Sequence, residues 1–275
     1  MTIQAQTVST VDLNVNELRY LIRVLEGTSI FGFPDEEFSQ YEQAQRQSML
    51  DAGEQSLLQR TLLADLGDGK LTISNSLLQA VGAAVHPVFS IWLTSEAKPQ
   101  PVEKWYIQGR DAIASAHTVL DNNYHRFIRF EHPTEVVPWI LDHLYLAQTQ
   151  PTANDAVTIS AELVVAVDTA LRAADAGTAF RLLREANVTA IAAQTVVHIL
   201  RDAERLSGVV VFRTALPVPV PVVNFSLATV DQSVWLLQSD PNSQLVTIRP
   251  SSVTEIQTQI EQGIELAQKE FVANS

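Results

Sequence analysis

An α+β fold made of two quasi-repeated halves is what this chain predicts, each half running helices, then an antiparallel meander, then a closing helix. Three observations carry that expectation. Apolar spacing changes from the helical 3.6 period to the strand period of 2 at about Val88. The period-2 segments are separated by short Pro, Gly and Asn turns, which join antiparallel neighbours. The same order of elements then starts again after residue 156.

Residues 1–12 are polar, Thr/Gln-rich and without periodicity, and read as a loose N-terminus. Leu18, Leu21, Ile22 and Leu25 give the i, i+3, i+4, i+7 stripe of a first helix, with Asn14 or Asn16 as N-cap and Gly27 past its end. Ile30 to Pro34 is an apolar connector. Asp35 to Leu50 predicts a second helix on a Gln/Glu-rich background, with Asp35, Glu36 and Glu37 complementing the positive end of its dipole. Ser56 to Leu66 predicts a third, closed by the turn Gly67-Asp68-Gly69, and Ser74 to Ala84 a fourth. Strands follow at 88–93, 103–108, 111–119 and 124–130, and Pro133 opens a helix through Trp139, Leu141 and Leu144. This completes a first repeat over 13–147.

Residues 148–156 contain QTQPTAND and read as a linker. A second repeat spans 157–270: helices over 159–173, 178–186 and 190–205, strands at 209–212, 222–228, 233–238 and 245–248, and a last helix over 253–271. At residue level Glu17-Leu18 with Leu21-Ile22 matches Glu162-Leu163 with Ala166-Val167. Phe127-Ile128-Arg129-Phe130 before Pro133 matches Leu245-Val246-Thr247-Ile248 before Pro250. The halves together are expected to form one compact domain.

Composition removes several function classes. With 18 Lys+Arg against 31 Asp+Glu the chain carries a formal charge of −13, and no run exceeds two basic residues, so nucleic acid is not an expected partner. Cysteine is absent, which excludes disulfides, Cys-ligated metals and cysteine nucleophiles. The uncharged stretch Thr214 to Val230 holds Pro217, Pro219 and Pro221, which argues against membrane insertion there. No apolar leader precedes Arg19, and a cytoplasmic location is the expectation.

Chemistry is not prominent either. Neither Gly-rich phosphate-loop signature nor a G-x-S-x-G elbow occurs. The six histidines, 86, 117, 125, 132, 143 and 198, include no H-x-H or H-E-x-x-H spacing. His125 and His132 flank one strand, where seven residues at about 3.3 Å each set them roughly 23 Å apart. Asp142-His143 lies late in a helix, a usual place for an imidazole near a C-terminal dipole. No catalytic, cofactor-binding or metal-ligating residue is therefore nominated, and no cofactor is expected. Of the four tryptophans, 92, 105, 139 and 235, most are expected in the core, and an exposed one would mark a binding surface.

The element order, the duplication and the segment Val234-Trp235-Leu236-Leu237 with Leu245-Val246-Thr247-Ile248-Arg249-Pro250 before a helix resemble the EspG-type proteins associated with ESX (type VII) secretion. The likeness runs from about Leu13 to Leu266, over apolar patterns and no strict motif; the first inter-strand loop, Ser95 to Val102, is short. The resemblance implies a mostly antiparallel sheet flanked by helical bundles with quasi-twofold halves. It also implies a cytosolic, non-enzymatic chaperone that holds PE–PPE secretion substrates by a helical tip. On that reading the partner-binding candidates are Trp105, Tyr106, Pro217, Pro219, Pro221 and Phe225. The competing reading of the same residues is sheet core for Trp105 and Phe225 and edge protection for the prolines. The alternative function is a ligand-binding protein or enzyme with a pocket between the halves.

Overall fold

A computed structural model of the chain describes residues 9–33, 36–68, 70–97, 99–110, 112–146, 155–214, 218–240 and 242–273. Most of the expected linker and Pro217 lie outside the described residues. The first half contains β1 (Ser9–Leu13), α1 (Val15–Val24), α2 (Glu36–Gln40), α3 (Gln43–Gln59), a small hairpin of β2 (Leu63–Asp65) and β3 (Leu71–Ile73), and α4 (Asn75–Val85). The meander β4 (Phe89–Ala97), β5 (Glu103–Arg110), β6 (Ile113–Val119) and β7 (His125–Phe130) follows, then a single 3-10 turn and α5 (Val136–His143). The second half contains β8 (Val157–Ser160), α6 (Ala161–Arg172), α7 (Ala176–Glu185), α8 (Ala190–Asp202), the meander β9 (Arg205–Arg213), β10 (Val220–Val230), β11 (Ser233–Asp240), β12 (Leu245–Ser251), and α9 (Val253–Ala273).

Ten strands form one antiparallel sheet in the order β1-β7-β6-β5-β4-β9-β10-β11-β12-β8. The fold is α+β, and the order reads alike from both ends. Its registers agree rung by rung. Leu93 pairs with Val209 at the centre. Moving outward in the first half, Trp92 pairs with Tyr106, Tyr106 with His117, His117 with Phe127, and Phe127 with Val11. In the second half Gly208 pairs with Ser226, Ser226 with Leu237, Leu237 with Ile248, and Ile248 with Val157. Each residue of the first series therefore has a counterpart in the second, related by an approximate twofold through the Leu93–Val209 rung.

Those registers correct the residue matches read from the sequence. Phe127 corresponds to Ile248, three residues later than expected, and the burial pattern along 125–130 repeats along 246–251. At the helix starts, Asn14 caps α1 and Ser160 caps α6, so Glu17 corresponds to Leu163 and not to Glu162. Residues 9–12, expected as loose terminus, are part of β1, held to β7 by a full ladder and by the Asp12–Arg126 ion pair at 2.8 Å. Residues 159–160, expected as helix, end β8.

One face of the sheet is covered by α5 and α9 over a core that includes Ile91, Leu93, Ile107, Val209, Phe225 and Leu227. The other face carries two separate helical bundles. Helices α1, α3 and α4 close a core with Leu13 and Phe127 on the first half, and α6, α7 and α8 close one with Val157, Trp235 and Ile248 on the second. The helices form where local chemistry favours them. Asn14 accepts from the N–H groups of Asn16 and Glu17 at 3.0 Å, and the Glu17 carboxylate accepts from the Asn14 N–H at 2.8 Å, a complete capping box. Gln43 to Gln59 is one continuous helix where two segments had been expected to divide it, and the region expected as the end of a helix at Leu66 turns into the β2–β3 hairpin.

Candidate protein-docking surface

Between the two bundles the sheet is left open. Strands β4 and β9 floor this trough, and their residues alternate accordingly: Leu93, Val209 and Val211 point into the core under α9 and are buried, whereas Trp92, Thr94, Gly208, Val210 and Phe212 are less enclosed. Trp92 is 38% exposed although it sits on a central strand. That exposure leaves part of the apolar indole surface in contact with water.

One end of the trough is aromatic. Phe31, from the connector after α1, stands edge-on to Tyr106 with ring centroids 5.6 Å apart and lies 5.2 Å from Phe212. Tyr106 is half-buried, and burial raises its phenol above the ordinary range, so it stays a neutral donor at physiological pH. Gly32 makes this packing feasible: its φ is +86°, and a Cβ there would lie 2.3 Å from the Tyr106 ring. The opposite end carries a cavity of about 360 Å³ between the halves, bordered by Thr94, Glu96 and Val102 on one side and by Val165, Asp168 and Leu206 on the other. Val165, on α6, is 65% exposed.

The expected partner-binding residues are dispersed about this surface. Trp105 lies on the opposite face of the sheet, packed edge-on to Trp139 at 5.0 Å. Phe225 is its counterpart, since Trp105 pairs with Leu93 and Phe225 with Val209. Phe225 is 2% exposed and is core. Tyr106, the next residue after Trp105, does face the trough. Pro219 and Pro221 are exposed near its aromatic end, where Pro221 pairs with Phe212 and the register slips before Val223. Strand β10 overhangs β11 there, because their pairing begins only at Ser226. A proline in such an overhang removes an N–H that a foreign strand would otherwise use. The residue that pattern reasoning undervalued is Trp92; its signal was the question of which tryptophan is exposed.

Of the titratable groups, His125 does not approach His132 but meets His117, with Nδ1 and Nε2 2.8 Å apart. His143 lies on the ring of Trp139, with Nδ1 2.8 Å from the Trp139 carbonyl oxygen. His198 bridges Asp202 at 2.8 Å and Asp231 at 3.1 Å on the surface. Among the described residues no group of three or more acidic, His or Cys side chains is placed to hold a metal ion. No helix among them is long and apolar enough to cross a membrane. A second cavity, of about 810 Å³, lies at the outer edge of the second half between β8 and the start of α8, away from the junction of the halves.

No family model matches the chain, and no curated protein sequence matches it. The fold itself is shared with solved structures. The type VII secretion system chaperone EspG5 of Mycobacterium tuberculosis, determined in complex with a PE25–PPE41 dimer, superposes with a TM-score of 0.65 over 94% of this chain and 96% of that one, at 11% identity. That identity is low enough for the likeness to speak of architecture: this chain has the EspG-like fold.

Proposed function

We propose that the chain is a non-enzymatic, cytoplasmic protein-binding adaptor or chaperone that holds a helical client in the trough between its two bundles. The observation that carries this reading is Trp92, a large apolar side chain 38% exposed on a central strand and paired with Tyr106, which with Phe31 and Phe212 forms the aromatic end of the trough. Recognition of a helix rests on a few buried apolar anchors in such a groove. The architecture shared with a secretion-system chaperone solved in complex with a PE25–PPE41 dimer supports the same role. Pro219 and Pro221 then stiffen the border of the trough, lowering the entropy lost when a client orders it.

Two substitutions test the assignment. Trp92→Glu is expected to leave the melting temperature within a few degrees of wild type and to abolish retention of a co-purifying helical client, with a loss of at least tenfold in affinity. Phe225→Asp is expected to unfold the protein, since it places a carboxylate in the core. A Trp92→Glu protein that keeps its client at unchanged affinity overturns the trough as the docking surface. A wild-type protein that retains no protein client but binds a small molecule in the cavity bordered by Glu96 and Asp168 favours the ligand-binding alternative.

A further inference from the structure

His117 and His125 form a buried pair with no acidic partner among the described residues. His117 is fully buried and His125 nearly so, and a single hydrogen bond of 2.8 Å joins their Nε2 and Nδ1 atoms. The His117 ring is stacked on Phe127 at 4.6 Å, Phe33 stands edge-on to His125 at 4.9 Å, and Tyr106 closes the side at 5.8 Å from His117. A hydrogen bond between two ring nitrogens needs one donor and one acceptor, so at least one imidazole is neutral. A further proton would set two positive charges side by side among phenyl rings.

The charged and titratable groups of the surrounding elements are committed elsewhere or lie on other faces. From β5 the neighbour is Tyr106; from β7 it is Arg129, which Gln79 and Glu131 hold. Helix α1 offers Glu17, bound by Asn14, Ser56 and Arg60, together with Arg19 on the Phe38 ring, Tyr20 near Glu54, and Arg23 on its exposed side. From β1 comes Asp12, paired with Arg126. Helix α3 brings Arg60, bound to Glu17 and Asp12, and α4 contains no charged residue within its span and ends at His86, on the Leu25 carbonyl. Among the described residues the 30–33 connector supplies Ile30, Phe31, Gly32 and Phe33, none of them titratable, with the Phe31 backbone as a polar group against His117 that partly opposes the effect of burial.

We infer that the His117–His125 pair makes the seat of the first helical bundle acid-labile, so that protonating the pair loosens α1, α4 and the 30–33 connector from the sheet while the second half stays packed. The second half lacks the device. The positions corresponding to His117 and His125 are Leu237 and Val246, since Tyr106–His117 matches Ser226–Leu237 and Leu13–His125 matches Ile159–Val246. Burial pushes His117 down to about 3, aided by the charge on His125, and burial pushes His125 down to about 4. Unfolded imidazoles take up protons near 6.5, so between about pH 6.5 and 4 the opened state binds more protons than the closed one. Stability of this seat is therefore complete above about pH 6.5 and falls as the pH drops through that window.

Hydrogen exchange of the full chain at pH 7 and pH 5, corrected for intrinsic rates, tests this without reference to the proposed client. Protection of α1, α4 and β7 is expected to fall by roughly twentyfold or more for each imidazole exposed on opening, while α6, α8 and β12 change less than threefold. Equal losses in both halves, or none in the first, overturn the inference. The variant His117→Leu with His125→Val installs the residues of the second half and is expected to abolish the difference. If the variant retains the pH response, another group is responsible and the inference fails. Should this variant not fold, the comparison of halves within the wild-type chain decides alone.

Discussion

Glu17 shows how one residue fixes the geometry of several elements. Its side chain is fully buried, yet it accepts from the Asn14 N–H, from Ser56 Oγ at 2.7 Å and from Arg60 Nη1 at 2.6 Å, and Arg60 also donates to the Asp12 carbonyl. One carboxylate thus ties β1, α1 and α3 together. Gln keeps one acceptor oxygen but sets an NH2 donor against the remaining donors and removes the charge opposite Arg60, so Glu17→Gln is expected to lose about 2–3 kcal/mol in chemical denaturation. The corresponding residue of the second half, Leu163, has no such network, because Ala186 takes the C-cap place that Arg60 holds. Arg60→Ala is accordingly expected to cost less than half as much in a Glu17→Leu background as in the wild type, a coupling that a double-mutant cycle reads directly.

At the scale of elements, the overhang of β10 makes a separate prediction. Val218 is 71% exposed, Val220 is also exposed, and the strand is paired on one side only until Ser226. Replacing Pro219 and Pro221 with Val is expected to leave the melting temperature within a few degrees while converting monomer into higher-mass species on size exclusion, because the substitutions restore the N–H groups of an apolar edge. Unchanged elution at high concentration would show that the prolines have no protective role. Which elements were legible follows from the same physics. The meander and most helices declared themselves because each buries one face, as Leu18, Leu21 and Ile22 do on α1. Strands β1 and β8 did not, since a strand of four or five residues running into an N-cap offers too few positions to show a period, and the three-residue β2 and β3 offer fewer still. Helix α3 was misdivided because its Gln-rich surface buries only Leu50, Gly53 and Leu57. Trp92, between Ile91 and Leu93, has more apolar strand neighbours than Trp105, next to Lys104, yet Trp92 is the more exposed, because the placement of distant helices decides which is covered.

The whole molecule is organised about the Leu93–Val209 rung, where the edge of one meander meets the edge of the other. An isolated second half would expose β9 along its length, and that edge is built to pair antiparallel with a near copy of itself. A fragment of residues 151–275 is therefore expected to form a homodimer, seen as twice the monomer mass in light scattering, and co-expression with residues 1–150 is expected to convert it to the one-to-one pair. A stable monomeric fragment would show that the central ladder is not the principal junction. The sheet has a further geometric consequence. Each step between neighbouring strands rotates by about 20–25°, and five steps separate β6, under one bundle, from β11, under the other. At that usual twist the strands beneath the two bundles are expected to differ in direction by roughly 100°, which curves the floor between them into a saddle. A straight rod lies flat on a saddle only along the two directions in which the surface does not curve, and lifts off the floor in any other. Shape alone, before any side-chain chemistry, therefore restricts the direction in which a helix proposed to occupy the trough can lie.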